Sequence, residues 1–134
     1  MPGCVLRASG DEFVPADFLS QSFFNPCNVF LINERRGSSS VWPTSGFTVD
    51  VSSTSGDEIE KQIEDALEFL NRYRDELTRL FDMPGLTDLR LDFGVNRKNV
   101  FVQSSYFPPA LLNVAASLNV GIEISIYGND GYVD

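Results

Sequence analysis

Carboxylates are the most plentiful groups in this sequence that could take part in chemistry. The chain of 134 residues has 19 acidic residues and no histidine. The missing histidine excludes histidine-based triads and Cys-His pairs, and two cysteines cannot by themselves complete a standard structural zinc site. The glycines follow no spacing known for phosphate-binding loops. We therefore expect neither a cofactor nor a metal ion, and we assign no catalytic residue.

Four of the carboxylates occupy positions from which an enzyme could use them: Asp11, Glu12, Asp50 and Asp92. The first two follow a Ser-Gly turn, and the other two lie on the polar sides of predicted strands. Two converging carboxylates could serve as acid and base or hold magnesium. No spacing selects a pair, and ordinary turn and solvent-exposed positions explain all four as well. A small enzyme or ligand-binding domain with a carboxylate site is therefore the alternative function. It requires a pocket near Arg7 or Arg90 in which at least two of the four carboxylates converge with a perturbed pKa.

The carboxylates are densest in a long amphipathic helix predicted for residues 55–81. Its apolar residues recur at spacings of three, four and seven, as one buried stripe of a helix requires: Ile59, Ile63, Leu67, Leu70, Leu77 and Leu80. We expect Leu67 and Leu70, in the middle of the stripe, to be buried against a sheet. The outward side is a candidate surface for a partner and carries Glu60, Glu64, Asp65 and Glu68.

The sheet that covers this stripe is predicted from alternating apolar and polar residues. Such alternation marks residues 4–9, 47–52, 89–95 and 120–127. The continuous apolar run in residues 28–33 is typical of a central strand buried on both faces. Residues 96–99 could form a hairpin loop into a short strand at residues 100–103. Two short helices, each opened by proline, are expected near residues 15–19 and 108–118.

These elements predict an α+β fold with a single, mostly antiparallel sheet of five or six strands. One long and two short helices cover one face, and a strand–helix–strand echo at the two ends suggests a ferredoxin-like pseudo-repeat. We expect residues 1–127 to form a single globular domain and residues 128–134 to be a flexible tail.

The second face of the predicted sheet is polar and is a second candidate surface. Alternation places on it Arg7, Thr48, Asp50, Arg90, Asp92, Glu123 and Ser125. An open sheet face is a natural docking platform, although many antiparallel sheets simply expose such a face to water. We name Arg90, Asp92 and Glu123 as its partner-binding candidates.

The net charge of −9 bears on the kind of partner. Nonspecific nucleic-acid and anionic-membrane binding need positive fields, so neither is expected, whereas a basic protein would be attracted. Solubility alone could also explain the charge. Four of the ten basic residues lie in two predicted loops, Arg35-Arg36 and Arg97-Lys98, whose role stays open. No signal peptide or membrane span is evident, so the cytoplasm is the expected location.

The two cysteines, Cys4 and Cys27, both lie beside predicted strands and could be neighbours in space. In a cytoplasmic domain such thiols usually stay reduced and pack as small apolar residues. Redox pairing, or a reactive thiol, is the other possibility.

Both ends of the chain resemble a family of small uncharacterised bacterial domains, some of which occur beside polymorphic toxins as suspected immunity proteins. The likeness lies in residues 4–19 (CVLRASGDEFVPADFL) and residues 111–127 (LLNVAASLNVGIEISIY), and it departs at Gly46-Phe47, where the family tends to carry tryptophan. Its motifs are structural and identify no functional residue. The resemblance, the charge and the missing catalytic constellation together predict a non-catalytic protein-binding domain, such as an immunity-type inhibitor of a basic toxin, that is a monomer or weak homodimer.

Overall fold

The computed structural model describes residues 3–128, which form seven strands and four helices. The strands are β1 (Cys4–Gly10), β2 (Asn28–Phe30), β3 (Arg35–Arg36), β4 (Ser40–Val41), β5 (Ser45–Ser52), β6 (Asp88–Asn96) and β7 (Gly121–Tyr127). The helices are α1 (Pro15–Leu19), α2 (Ile59–Arg72), α3 (Arg74–Phe81) and α4 (Pro109–Ser117). No helix in this range is long and apolar enough to cross a membrane.

Five strands form one sheet in the order β2-β5-β1-β6-β7, and β3 and β4 form a separate two-stranded hairpin. The predicted α+β class and a sheet of five strands are confirmed. The sheet is mixed, however, because β7 runs parallel to β6, whereas the other neighbours are antiparallel. The expected ferredoxin-like pseudo-repeat does not match either, because the two strand–helix–strand units differ. The unit through α1 connects β1 to β2, which run parallel with β5 between them, whereas the unit through α4 connects β6 to β7, which pair directly.

The core lies between one face of the sheet and the helices. Alternate residues of the central strands point into it, and all four helices contribute to the same buried cluster. Aromatic rings fill its centre: Phe18 of α1 stacks on Phe47 of β5 with ring centroids 5.8 Å apart. Because the helices share one face, the other face carries the polar residues that alternate with the core positions.

The predicted long helix is two helices, so residues 3–128 contain four helices where three were expected. Tyr73 separates α2 from α3 and has a non-helical conformation (φ −107°, ψ 27°). Its ring contacts Phe24 and Phe69, with centroids 5.2 Å and 4.9 Å away. Leu70 is fully buried as predicted, but Leu67 is only half-buried. The buried stripe is therefore rotated toward Phe69, which the leucine and isoleucine spacing did not include.

One predicted strand is only partly right and another is wrong. Residues 28–33 supply only the short edge strand β2, and Leu31 and Ile32 are exposed. Residues 100–103 form no strand, and Val100 and Phe101 are exposed. The apolar composition of both segments is right for a strand, but within residues 3–128 no strand pairs with residues 31–33 or with residues 100–103. The predicted tail, except for Gly128, lies outside the described residues.

Candidate functional site

The acidic candidates of the long helix lie on α2 and differ in their surroundings. Glu60, Glu64 and Glu68 are exposed. Asp65 is half-buried and accepts a hydrogen bond from the Ser52 hydroxyl at 2.7 Å. This bond and the ion pair with Lys61, at 3.2 Å, hold the pKa of Asp65 below its usual range. Asp65 is thus ionised at neutral pH and tied to the end of β5, which brings the acidic side of α2 against the edge of the sheet.

A groove of about 390 Å³ runs between α2 and the edge of β5. We call it the acidic groove, and it is lined by Phe23, Phe24, Asn25, Val49, Asp50, Val51, Asp65, Glu68, Phe69, Arg72 and Tyr73. Three carboxylates and one guanidinium face it, so its lining has a net negative charge. Carboxylates and aromatic rings side by side are the groups that attract a cationic side chain.

The groove exists because β5 is longer than its neighbour. β5 spans Ser45–Ser52, but β2 pairs only with Gly46, Phe47 and Thr48. Within residues 3–128, no strand pairs with the outer edge of Val49 through Ser52. An open strand edge carries backbone donors and acceptors that an added strand can use.

The aromatic wall of the groove is held by Glu76 of α3. Its carboxylate accepts hydrogen bonds from the Ser22 hydroxyl and from the backbone amide of Phe23, the latter at 3.1 Å. Arg79 donates to it at 3.2 Å. Burial raises the pKa of Glu76, but these hydrogen bonds outweigh it and leave the pKa below its usual range. The loop is thereby anchored with Phe24 packed on Phe69, while Phe23 stays 87% exposed.

The sheet-face candidates pair with one another. Asp92 is only 5% exposed, and one of its oxygens accepts from the Arg7 Nη2 at 2.9 Å while the other accepts from Ser125 at 2.7 Å. Arg90 contacts Glu123 at 3.4 Å and Asp88 at 2.8 Å. The solvent-exposed position considered for Asp92 is therefore wrong, because Arg7 and Ser125 provide its hydrogen bonds in place of water.

A second cleft, of about 250 Å³, lies on this polar face. We call it the sheet-face cleft, and it is lined by Gly3, Val5, Arg7, Asp50, Ser52, Ser53, Asp92, Gly94 and Tyr127. It brings together Arg7 and two of the four candidate carboxylates, Asp50 and Asp92, which is the geometric part of what the alternative function requires. Asp50 lines both clefts, so it joins the acidic groove to the sheet face. Asp11 and Glu12 are exposed and line neither cleft.

The cysteines are both free thiols. Cys4 is buried in the core, and burial, with the nearby charges of Asp92 and Asp65, raises its pKa well above the usual range. It packs as a small apolar residue, as expected. Cys27 is exposed, and its sulfur lies 3.1 Å from the Thr48 hydroxyl. In the described part of the chain, no three His, Cys, Asp or Glu side chains come together in a way that could hold a metal ion.

Sequence reasoning missed the aromatic wall of the acidic groove, which Phe23, Phe24, Phe69 and Tyr73 form. A signal was present: the two adjacent phenylalanines are followed directly by Asn25-Pro26, a turn-forming pair. The two basic loops lie apart from this groove. The Arg36 guanidinium lies 4.7 Å from the centre of the Trp42 ring, beside the hairpin of β3 and β4, and Arg97 and Lys98 follow β6.

Comparison with known proteins gives a family but no described relative. No curated protein and no solved structure matches the chain. A family model does match, over residues 2–129, and its description is a domain of unknown function, DUF4279. The resemblance to a family of small uncharacterised domains is thus confirmed, and the association with toxins stays a prediction. Because the match covers nearly the whole length, the chain belongs to the DUF4279 family.

Proposed function

We propose that this chain is a non-catalytic, cytoplasmic protein-binding domain that captures a basic partner in the acidic groove, as an immunity-type inhibitor of a basic toxin would. The observation that supports it most is the combination in one groove of an open strand edge, three carboxylates and exposed aromatic surface. Each provides one part of peptide recognition: backbone hydrogen bonds, charge attraction and apolar contact.

The mode of binding follows from these parts. An extended segment of the partner adds beside β5 at Val49 to Ser52, so that its backbone pairs with the open edge. A lysine or arginine of that segment then lies between Asp50 and Glu68. The exposed Phe23 ring covers its apolar stem, as aromatic faces commonly do for long cationic side chains.

The charge of the whole chain supports the same partner. A net charge of −9 attracts a cationic protein over a distance and increases its association rate, and salt weakens this attraction. Long-range attraction alone does not select a site, so the groove must provide the specificity.

A matched pair of variants tests the groove. Glu68→Lys and Glu64→Lys change the net charge equally and both alter exposed residues of α2, but only Glu68 lines the groove. The probe is a labelled decapeptide in which arginine and valine alternate. We expect Glu68→Lys to weaken its binding about tenfold, and Glu64→Lys to weaken it about twofold through the loss of long-range electrostatic attraction alone. Fluorescence anisotropy at low salt measures both, with a glutamate–valine decapeptide as the negative control.

The natural partner is sought with the same variants as baits. Capture from a host lysate followed by mass spectrometry should recover a basic protein on the wild-type chain and on Glu64→Lys, and lose it on Glu68→Lys. If the arginine decapeptide binds both variants equally, or if no basic protein depends on Glu68, the groove is not the binding site and the proposal fails.

A second proposal rests on the sheet-face cleft, where Asp50 and Asp92 meet Arg7. A small ligand-binding site is the alternative here, and its chemistry suits a zwitterion, with a carboxylate at Arg7 and an ammonium group at the exposed Asp50. Thermal unfolding with each of the common free amino acids tests it. A stabilising amino acid whose effect disappears in Asp50→Asn would support the site, and no shift with any of them would reject it.

A further inference from the structure

The two edges of the sheet are protected very differently. The edge strand β2 has three residues and begins two residues after Pro26. It is followed by the hairpin of β3 and β4, and Trp42, directly after β4, stacks on Phe30 with ring centroids 4.2 Å apart. Short strands, prolines and covering segments all hinder further pairing at an edge. The other edge strand, β7, has seven residues without proline, lysine or arginine. Within residues 3–128, no strand pairs with its outer edge.

The core side of β7 is also left uncovered. The helices do not cover its second half. Ile124 is therefore 47% exposed and Ile126 is 58% exposed, although both point to the core side of the sheet and alternate with the residues of the polar face. These two residues line a cleft of about 210 Å³ with Val95, Gln103 and Ser105. Apolar side chains on an open strand edge are the usual site for a further strand.

We propose that β7 is the contact through which two copies of this chain associate, by antiparallel pairing of β7 with itself about a twofold axis at Ile124. The two five-stranded sheets then form one continuous sheet of ten strands. A contact of this kind uses the same patch on both copies, so the strand must be complementary to itself.

The order of residues in β7 meets that requirement. With Ile124 opposite the partner's Ile124, Ile122 lies opposite the partner's Ile126, so only isoleucines meet on the core side. On the polar side Glu123 lies opposite the partner's Ser125. The one charged residue of the strand therefore meets a hydroxyl rather than its own copy, and like charges, which destabilise directly opposed pairs, are avoided.

Overall charge distinguishes this contact from the binding of a basic partner. Two copies with a net charge of −9 each repel one another, so screening by salt should strengthen their association. The neighbouring segment lessens the repulsion locally, because residues 96–107 contain Arg97 and Lys98 and no acidic residue.

The register of the proposed β7–β7 pairing is tested by placing charged residues of either sign at Ile124, on the twofold axis. Ile124→Glu and Ile124→Lys should each weaken self-association about tenfold or more, because like charges then face each other. An equimolar mixture of the two should associate at least as well as the wild type, since glutamate then faces lysine. Sedimentation equilibrium measures all three. Val14→Glu alters a 50% exposed residue beside α1, which contacts β5 and not β7, so it should leave association unchanged.

A measurement on the wild-type chain needs no substitution. Hydrogen exchange at low and high protein concentration should show added protection confined to the amides of Gly121 to Tyr127. A wild-type chain that stays monomeric up to about 0.5 mM, where even a weak dimer of millimolar Kd would be detected, overturns the proposal. The proposal is also overturned if the chain associates without a change in the hydrogen exchange of β7. The same holds if the mixture of Ile124→Glu and Ile124→Lys does not regain the association of the wild type.

Discussion

At the scale of single residues, burial and partners decide which carboxylates remain able to act on another molecule. Asp92 has both oxygens occupied by Arg7 and Ser125, and it is almost fully buried. Glu76 is likewise occupied by the loop that it anchors. Asp50 and Glu68 are exposed and line the acidic groove. Within the acidic groove, these two are therefore the carboxylates best placed to bind a cation, since Asp65 is already paired with Ser52 and Lys61.

The half-burial of Leu67 gives a prediction about single residues of the core. Replacing the fully buried Leu70 with alanine should lower the free energy of unfolding by about 2–5 kcal/mol, through lost transfer energy and a cavity. Leu67→Ala should cost about 1 kcal/mol, because its side chain is already partly in water. Urea titration measures both. Equal losses would mean that the stripe of α2 is not rotated toward Phe69.

At the scale of elements, α3 matters for the site although it does not line it. The break at Tyr73 places that ring against Phe24 and Phe69, and Glu76 in the first turn of α3 holds the backbone of Phe23. The aromatic wall of the acidic groove is thus built by a loop that α3 anchors. Its shape depends on one carboxylate remaining ionised.

The lowered pKa of Glu76 predicts how this anchor depends on pH. Its contribution to stability is present above the unfolded-state pKa of about 4.3 and is lost as pH falls through the lower folded-state pKa. Glu76→Gln should therefore lower the free energy of unfolding by about 1.5 kcal/mol at neutral pH. The difference from wild type should shrink as pH falls below about 4.

Asp75→Asn is the control for this measurement, since Asp75 is an exposed neighbour in the same turn of α3. It should change stability by less than about 0.5 kcal/mol. A difference between Glu76→Gln and wild type that persists unchanged at low pH would show that the loss does not come from the charge of Glu76, contrary to the proposed anchoring by charge.

At the scale of the whole molecule, the two proposed contact surfaces lie at different edges of the sheet. The acidic groove is at the β5 edge, and the exposed isoleucines are at the β7 edge of the same sheet. β1 and β6 lie between the two edges. A basic partner and a second copy could therefore be bound at the same time.

Salt provides the prediction at this scale. Raising NaCl from about 20 mM to about 300 mM shortens the screening distance, so the arginine decapeptide should bind more weakly while self-association strengthens. Anisotropy and sedimentation on one preparation measure the two opposite trends. Glu64→Lys should change stability by no more than about 0.5 kcal/mol, so its effects on either equilibrium reflect charge alone. If salt strengthened both equilibria, or weakened both, the assignment of separate surfaces would be contradicted.

The sequence by itself determined the elements whose pattern is local. Alternation in β5, β6 and β7 and the helical spacing around Ile63 and Leu70 predict those elements within a few residues, because each pattern is set by the chain's own geometry. The α+β class follows from their order. The polar side of the sheet was also predictable, since residues two apart in a strand share a face.

Only the tertiary structure decided what depends on distant neighbours. It made β2 a short edge strand instead of a central one, placed β7 parallel to β6, and broke the long helix at Tyr73. It also brought Phe23, Asp50 and Glu68 to one groove although they are far apart in sequence. No local period encodes these outcomes, because pairing partners and free edges are chosen by packing among segments remote along the chain.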